Sequence, residues 1–320
     1  MTLPRDGAHR RPPGAPRPPV PSRAATVYRA GVEILDERTW RARADAHAAR
    51  VDALVADHLQ RRRDGVTHPV HDFLFTYYAH KPSQLRRWHP GFGVGLEHAH
   101  EYADRRGYEA VDGVARVSHD LLAERRDLVA GTHALLVATA SRRPHTGCFG
   151  MHEWAMVYRA DETRHPVPLR LGREGTDRVV ESHRIRCSHF DAYRFFTPAA
   201  RDRNTLRPGP GDRPAFEQPG CLHANMDLYK HAFRLSPLVP SELVADCFEL
   251  ARDIRVLDMR AAPYDLSDLG FEPVRVETAE GKRAYAAAQT AFAERAAPLR
   301  ARLVEACETV LAASGAALAG

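Results

Sequence analysis

Five cysteines in 320 residues, an odd number, widely spaced and without a C-x-x-C pair, are too few and too scattered for a disulfide framework or a thiolate zinc site. Reduced, buried thiols are expected. No apolar run is long enough to cross a bilayer, and the opening residues lack the apolar segment followed by small residues that a secretory signal needs. These two absences predict a soluble cytoplasmic protein with no membrane partner. The glycines of "GFGVG" lack the G-x-G-x-x-G spacing and the strand-to-helix setting of a phosphate cradle, so they predict a tight loop. No internal repeat is found.

Net charge is also lacking where it would matter. The formal charge of +5 belongs to residues 1–30, which hold six arginines and one aspartate; 40 basic and 40 acidic side chains remain for the rest of the chain. A nucleic-acid face would therefore have to come from local clustering. The stretch "MTLPRDGAHRRPPGAPRPPVPSR" is rich in Pro and Arg without apolar periodicity, and a disordered tail over residues 1–34 is expected.

What is present is helical periodicity. From Asp36, the residues Trp40, His47, Val51, Leu54, Val55 and His58 fall on one face, and the pattern ends at "RRRDG". Short helices are expected from about Val70 to Tyr78 and from Pro82 to Trp88, and Ser118 can cap a longer one. The segments "GCFGMHEWAMVY", "PLRLG" and "RVVESHRIRCSHFDAYRFF" read as short strands and loops, followed by a Pro/Gly-rich linker, "LRPGPGDRPAFEQPG". Helices then span roughly 225–235, 241–260 and 280–312. The expected architecture is mostly α: a single helical domain over residues 35–320 with a small β or irregular insertion in the middle.

Residues 68–91, "HPVHDFLFTYYAHKPSQLRRWHPG", hold four histidines, an aspartate, five aromatic rings and three basic side chains. Aromatic stripes at helical spacing are more often core than a cofactor box, yet His71, Asp72, Tyr77, Tyr78, Arg86, Arg87 and Trp88 also bring together an acid, flat π faces and cations. Such a mixture suits a pocket that stacks a planar ring and handles charge. In "GCFGMHEWAMVYR", His152 and Glu153 adjoin Trp154; on a strand they would point to opposite faces. His189 and Asp191, two apart, would share a strand face, as metal ligands or as an imidazole oriented by a carboxylate. His223, Asp227 and Lys230 follow an i, i+4, i+7 pattern if their helix starts early, whereas Asn225 as its cap would leave His223 outside. On "SELVADCFELARDIRVLDMRAAPYDL", Leu243, Cys247, Leu250, Ile254 and Leu257 form an apolar stripe, and Glu242, Asp246, Glu249 and Asp253 an acidic one beside it. Arginines from "RCSHFDAYR" or from the last helix are expected to pair with that stripe; a functional reading gives Glu249 or Asp253 to a metal or acid-base site.

The strings "HDFLFTYY", "QLRRWHPG", "GCFGMHEWAMVYR", "EQPGCLHANMDLYKHAF" and "DCFELARDIRVLDMRAAPYDL" resemble an actinobacterial family usually labelled 3-methyladenine DNA glycosylase, over nearly all of the chain after residue 35. The Gly-rich hairpin with a downstream aspartate of helix-hairpin-helix glycosylases is absent. The resemblance implies a DNA-repair hydrolase, with DNA as partner and no cofactor, that excises alkylated purines such as 3-methyladenine. Such an enzyme must extrude the base, stack it, and stabilise an oxocarbenium-like sugar. Tyr77, Tyr78, Trp88 and Trp154 would offer faces to a cationic base. Asp72 or Asp191, with His71 beside the former, would supply the catalytic carboxylate, Arg86 and Arg87 would hold phosphates, and His223 and Asn225 would contact the ligand. The rival expectation is a divalent-metal hydrolase or oxygenase acting on a small molecule, with non-haem iron, manganese or zinc held by residues drawn from His71, His152, Glu153, His189, Asp191, His223 and Asp227. A non-catalytic ligand-binding protein would account for the same clusters.

A single domain predicts that limited proteolysis trims only the tail. A stable fragment cut near residues 206–216 would instead reveal two domains.

Overall fold

A computed structural model describes residues 27–29 and 32–317. Most of the tail expected over residues 1–34 lies outside the described residues, but strands β1 (Val27–Arg29) and β2 (Val32–Leu35) fall inside that range, so the folded body starts by residue 27. With β3 (Val94–Glu97), β4 (Tyr108–Val111) and β5 (Val114–Val117) they form a five-stranded sheet in the order β1-β2-β3-β5-β4. All pairings are antiparallel except β2 with β3. The long helix Glu37–Arg63 lies in the crossover between these two parallel strands, and the Trp40 indole N–H fastens it to the Glu97 carbonyl at 2.9 Å. Asp36 caps its start by accepting from the Thr39 N–H, as Ser118 caps helix His119–Ala140 by accepting from Leu121.

The chain is mostly helical, as expected, and its small sheet lies toward the N-terminal end. Residues 148–196, read from sequence as strands and loops, contain the short helices Met151–Ala155, Gly172–Ser182 and Phe190–Tyr193 instead. Their β-branched and aromatic side chains serve packing: Trp154, Tyr158 and Val180 are buried in the core. The segment "GFGVG" runs into β3, so only its first half is loop.

Helix Ser241–Ala261 is the structural axis. It packs against helix Leu222–Leu235 and against the long helix Ala279–Ala317, which also runs along His119–Ala140. Its apolar stripe, Leu243, Cys247, Leu250, Ile254 and Leu257, is buried throughout. The acidic stripe beside it meets arginines from two helices. Glu242 pairs with Arg43, Glu249 with Arg50, Asp246 with Arg50 and Arg302, and Asp253 with Arg295. The last helix thus supplies partners as expected; the others come from the first helix, and none comes from "RCSHFDAYR". Glu249 and Asp253 are latches between helices. No described helix is long and apolar enough to cross a membrane.

Two substitutions on this axis should separate packing from latching. Ile254→Ala leaves a cavity in the buried stripe and should lower stability by about 2–5 kcal/mol. Arg295→Ala removes a half-exposed ion pair and should lower it by less than about 1 kcal/mol. Urea midpoints measure both; equal effects would contradict the division of roles.

Candidate functional site

The geometry starts from Arg255, whose side chain is 1% exposed. Its guanidinium donates to Glu153 at 3.1 Å and to Asp258 at 2.9 Å, and it lies 3.8 Å from the Phe73 ring centroid. Arg255 and Asp258 are one turn apart on helix Ser241–Ala261, and Glu153 comes from helix Met151–Ala155. A helix at 151–155 corrects the strand expectation: His152 and Glu153 do not diverge, and both are buried against the same stretch of the axial helix. Gly150, at φ +67°, makes the left-handed turn that starts this short helix.

His152 Nε2 then lies 2.9 Å from Asp258 Oδ1, an ion-pair contact between two buried side chains. His223 completes the group: its ring centroid is 4.4 Å from that of His152, and one donor atom each from His152, His223 and Asp258 lie within 4.8 Å of one another. Two donors held about 2.1 Å from one metal ion at a right angle lie about 3 Å apart, so the His152–Asp258 spacing is that of neighbouring ligands. Burial, and then His152 beside it, pushes the His223 pKa down to about 3, which leaves a neutral imidazole with a free lone pair at pH 7. Burial pulls Asp258 toward protonation, but His152, His223 and Arg255 outweigh it and hold the carboxylate ionised. Burial pulls His152 down, and Asp258 more than reverses this, raising it. The carboxylate's field thus draws positive charge to this point, as a proton or as a metal ion.

A small cavity of about 20 Å³, enough for one water or ion, is lined by His152 and His223 together with Cys148, Cys187, Cys221 and Tyr285. Nothing in the wide spacing of these three cysteines predicts that they meet. Burial pushes the pKa of each thiol up, that of Cys187 to about 12, so they are protonated.

A second group, His189, Asp191 and Asp227, lies close by, with the His189 and His223 rings 5.3 Å apart between centroids. His189 precedes the short helix Phe190–Tyr193 and Asp191 sits within it, so the two converge through a helical turn rather than along a strand. Here cations are already in place. Arg213 donates to Asp227 at 2.8 Å and pairs with Glu217 at 2.5 Å; Lys230 donates to Asp191 at 3.0 Å; Arg194 is 3.5 Å from Asp191. Three carboxylates therefore face three cations, whereas at the first group Asp258 and Glu153 face Arg255 and the imidazole of His152. Arg213 belongs to the Pro/Gly-rich segment read as a linker, which is in fact pinned to the helical body by these bonds.

The remaining candidates are dispersed. Tyr78 donates to Asp227 at 2.7 Å; Trp88 donates to Glu242 at 3.0 Å and Trp154 to the Ala261 carbonyl at 2.8 Å, and all three rings are buried. Tyr77 is half-buried and stacked on Phe73. Arg86 is exposed and paired with Asp52, and Arg87 is exposed. His71 packs on His68 and Phe271. Asn225 is not a cap, because the helix begins at Leu222; its buried amide donates to the Pro219 carbonyl and accepts from Arg300. His223 is accordingly inside the helix, and the i, i+4, i+7 reading of His223, Asp227 and Lys230 is the right one. Asp258, Arg255, Glu217 and Arg213 were not among the candidates. Asp258 carried a signal: it follows Ile254 by four residues, which sets a carboxylate on the apolar stripe.

Asp72 is held by His58 at 2.8 Å, Arg61 at 2.6 Å and the His68 backbone N–H at 2.8 Å. Burial raises its pKa, but these hydrogen bonds outweigh burial and leave it below the ordinary value. Its stabilising contribution is therefore complete above the unfolded carboxyl pKa and is lost as pH falls through the lowered folded value. Asp72→Asn should cost about 1–3 kcal/mol at pH 7 and progressively less as acid protonates the wild-type carboxylate, as followed by thermal unfolding; a pH-independent difference would contradict this. Comparisons of the chain with protein-family models, with curated proteins and with solved structures find no match.

Proposed function

We propose that the protein is a metal-dependent enzyme, hydrolytic or oxidative, that holds a divalent ion with His152, His223 and Asp258 and acts on a small molecule. The observation that carries this reading is the convergence of His152, His223 and Asp258, one donor atom from each lying within 4.8 Å of the others, with His152 and Asp258 buried. Two imidazoles and one carboxylate suit iron(II), manganese or zinc and leave coordination positions open. Arg255 fixes the other oxygen of Asp258 at 2.9 Å, the kind of supporting contact that orients a ligand. A bound ion would supply Lewis acidity and acidify a water. The buried Tyr285 hydroxyl, which has no hydrogen-bond partner among the described residues, lines the same cavity and is available to orient that water.

Base excision, implied by the family resemblance, is the second reading. It is favoured by the nearness of Asp191 to the half-buried Tyr77: burial, then the charges of Asp227 and Asp191, push this phenol to about 12. That reading needs no metal, which makes the two separable.

Metal analysis of the purified protein after incubation with iron(II), manganese or zinc should find near-stoichiometric binding. His223→Ala and Asp258→Asn should each weaken binding at least about tenfold, with the circular dichroism spectrum retained, while Asp191→Asn should leave it unchanged. Absence of metal from the wild type, with release of methylated base from DNA in the presence of a chelator and loss of that release in Asp191→Asn, would move the function to base excision.

A further inference from the structure

Arg186 stands where three depressions meet. It lines the small cavity with His152 and His223, a second depression of about 550 Å³ with Arg184, Lys282 and Phe149, and a third of about 300 Å³ with Arg143 and Phe216. No aspartate or glutamate lines any of the three. Arg143, Arg184, Arg186 and Lys282 make no ion pair among the described residues; the three arginines are exposed, and Lys282 lies over the Phe149 ring, 5.9 Å from its centroid. On the axial helix and around Asp227 the cations are matched by carboxylates, and the chain beyond residue 30 is balanced in charge, whereas these depressions are lined by cations without an acid. Four unmatched cations around one opening are therefore a local positive field rather than a share of a basic surface.

We infer that this mouth binds the phosphate group of a small substrate of about mononucleotide size and turns its other end toward His152 and His223. Guanidinium forks match phosphate oxygens in pairs, and the exposed arginines have no competing carboxylate to release. The hydroxyls of Ser182 and Thr205 line the same 550 Å³ depression, and that volume falls in the range of small-ligand sites. Phe149, half-buried beside Lys282, offers an apolar ring to the body of the ligand. The assignment of which end reacts rests on the proposed metal centre; the binding of the anion does not.

Calorimetric titration with adenosine monophosphate and with inorganic phosphate at low salt tests this. The wild type should bind both, less tightly as salt rises. Arg184→Ala and Arg186→Ala should each weaken binding at least about tenfold without altering metal content or the thermal midpoint, since both side chains are exposed. Arg186→Lys should recover only part of the affinity. Failure of the wild type to bind either probe, or affinities unchanged in the Arg184→Ala/Arg186→Ala double variant, would overturn the inference. So would single-stranded DNA binding more tightly than adenosine monophosphate through the same arginines, which would make the partner a nucleic acid. A wild type that binds the nucleotide through Arg186 yet holds no metal would remove the metal centre and leave the anion site standing; bound metal with no nucleotide affinity would do the reverse.

Discussion

Arg255 is a charge taken almost completely out of water, and desolvating it costs several kcal/mol unless carboxylates meet it. Glu153 and Asp258 do so, and meeting it joins two parts of the chain that are 102 residues apart at the Glu153 contact. Helix Met151–Ala155 is too short to hold its place by its own hydrogen bonds. The ion pair and the Trp154 N–H bond to Ala261 anchor it to the end of the axial helix. With the helix so anchored, His152 stands beside Asp258 and across from His223. The candidate metal centre is thus a by-product of neutralising one buried guanidinium with one carboxylate more than it requires.

That surplus distinguishes the two histidine-carboxylate groups, which are alike in composition. Around Asp227 the chain supplies Arg213, Lys230 and Arg194, and the phenol of Tyr78 takes one of the carboxylate oxygens. Around Asp258 it supplies Arg255 and the imidazole of His152, and leaves Glu153 Oε2 without a hydrogen-bond partner among the described residues. The same residue types are therefore held by three cations in one place and by fewer in the other. Counting histidines and acids cannot separate the cases; only the supply of cations does.

The long helices were legible because a buried stripe at helical spacing leaves a periodic trace over five or more turns, as on Glu37–Arg63, which Asp36 also caps, and on Ser241–Ala261. The sheet was not, because its strands are three or four residues long, too short for alternation to show. Residues 148–196 misled for the opposite reason: aromatic and β-branched residues are there to fill space between longer helices, and tertiary packing set the backbone. His152, Glu153, His189, Asp191, His223 and Asp227 were all legible as candidates by residue type, but their sorting into two groups depends on contacts between distant segments. Asp258 escaped notice because it sits on the core side of a helix whose acidic residues otherwise mark its other flank.

His152, His223 and Asp258 come from three different helices, and no two of them are neighbours in sequence. An unfolded chain therefore holds no partial version of the centre, and any ion captured there is a ligand of the native state alone. Its binding free energy passes directly into the folding equilibrium: at a free concentration a hundredfold above its Kd, it would deepen the native basin by about 2.7 kcal/mol. Three side chains brought together only by folding would in that case report on the whole fold, because releasing any one helix dismantles the group.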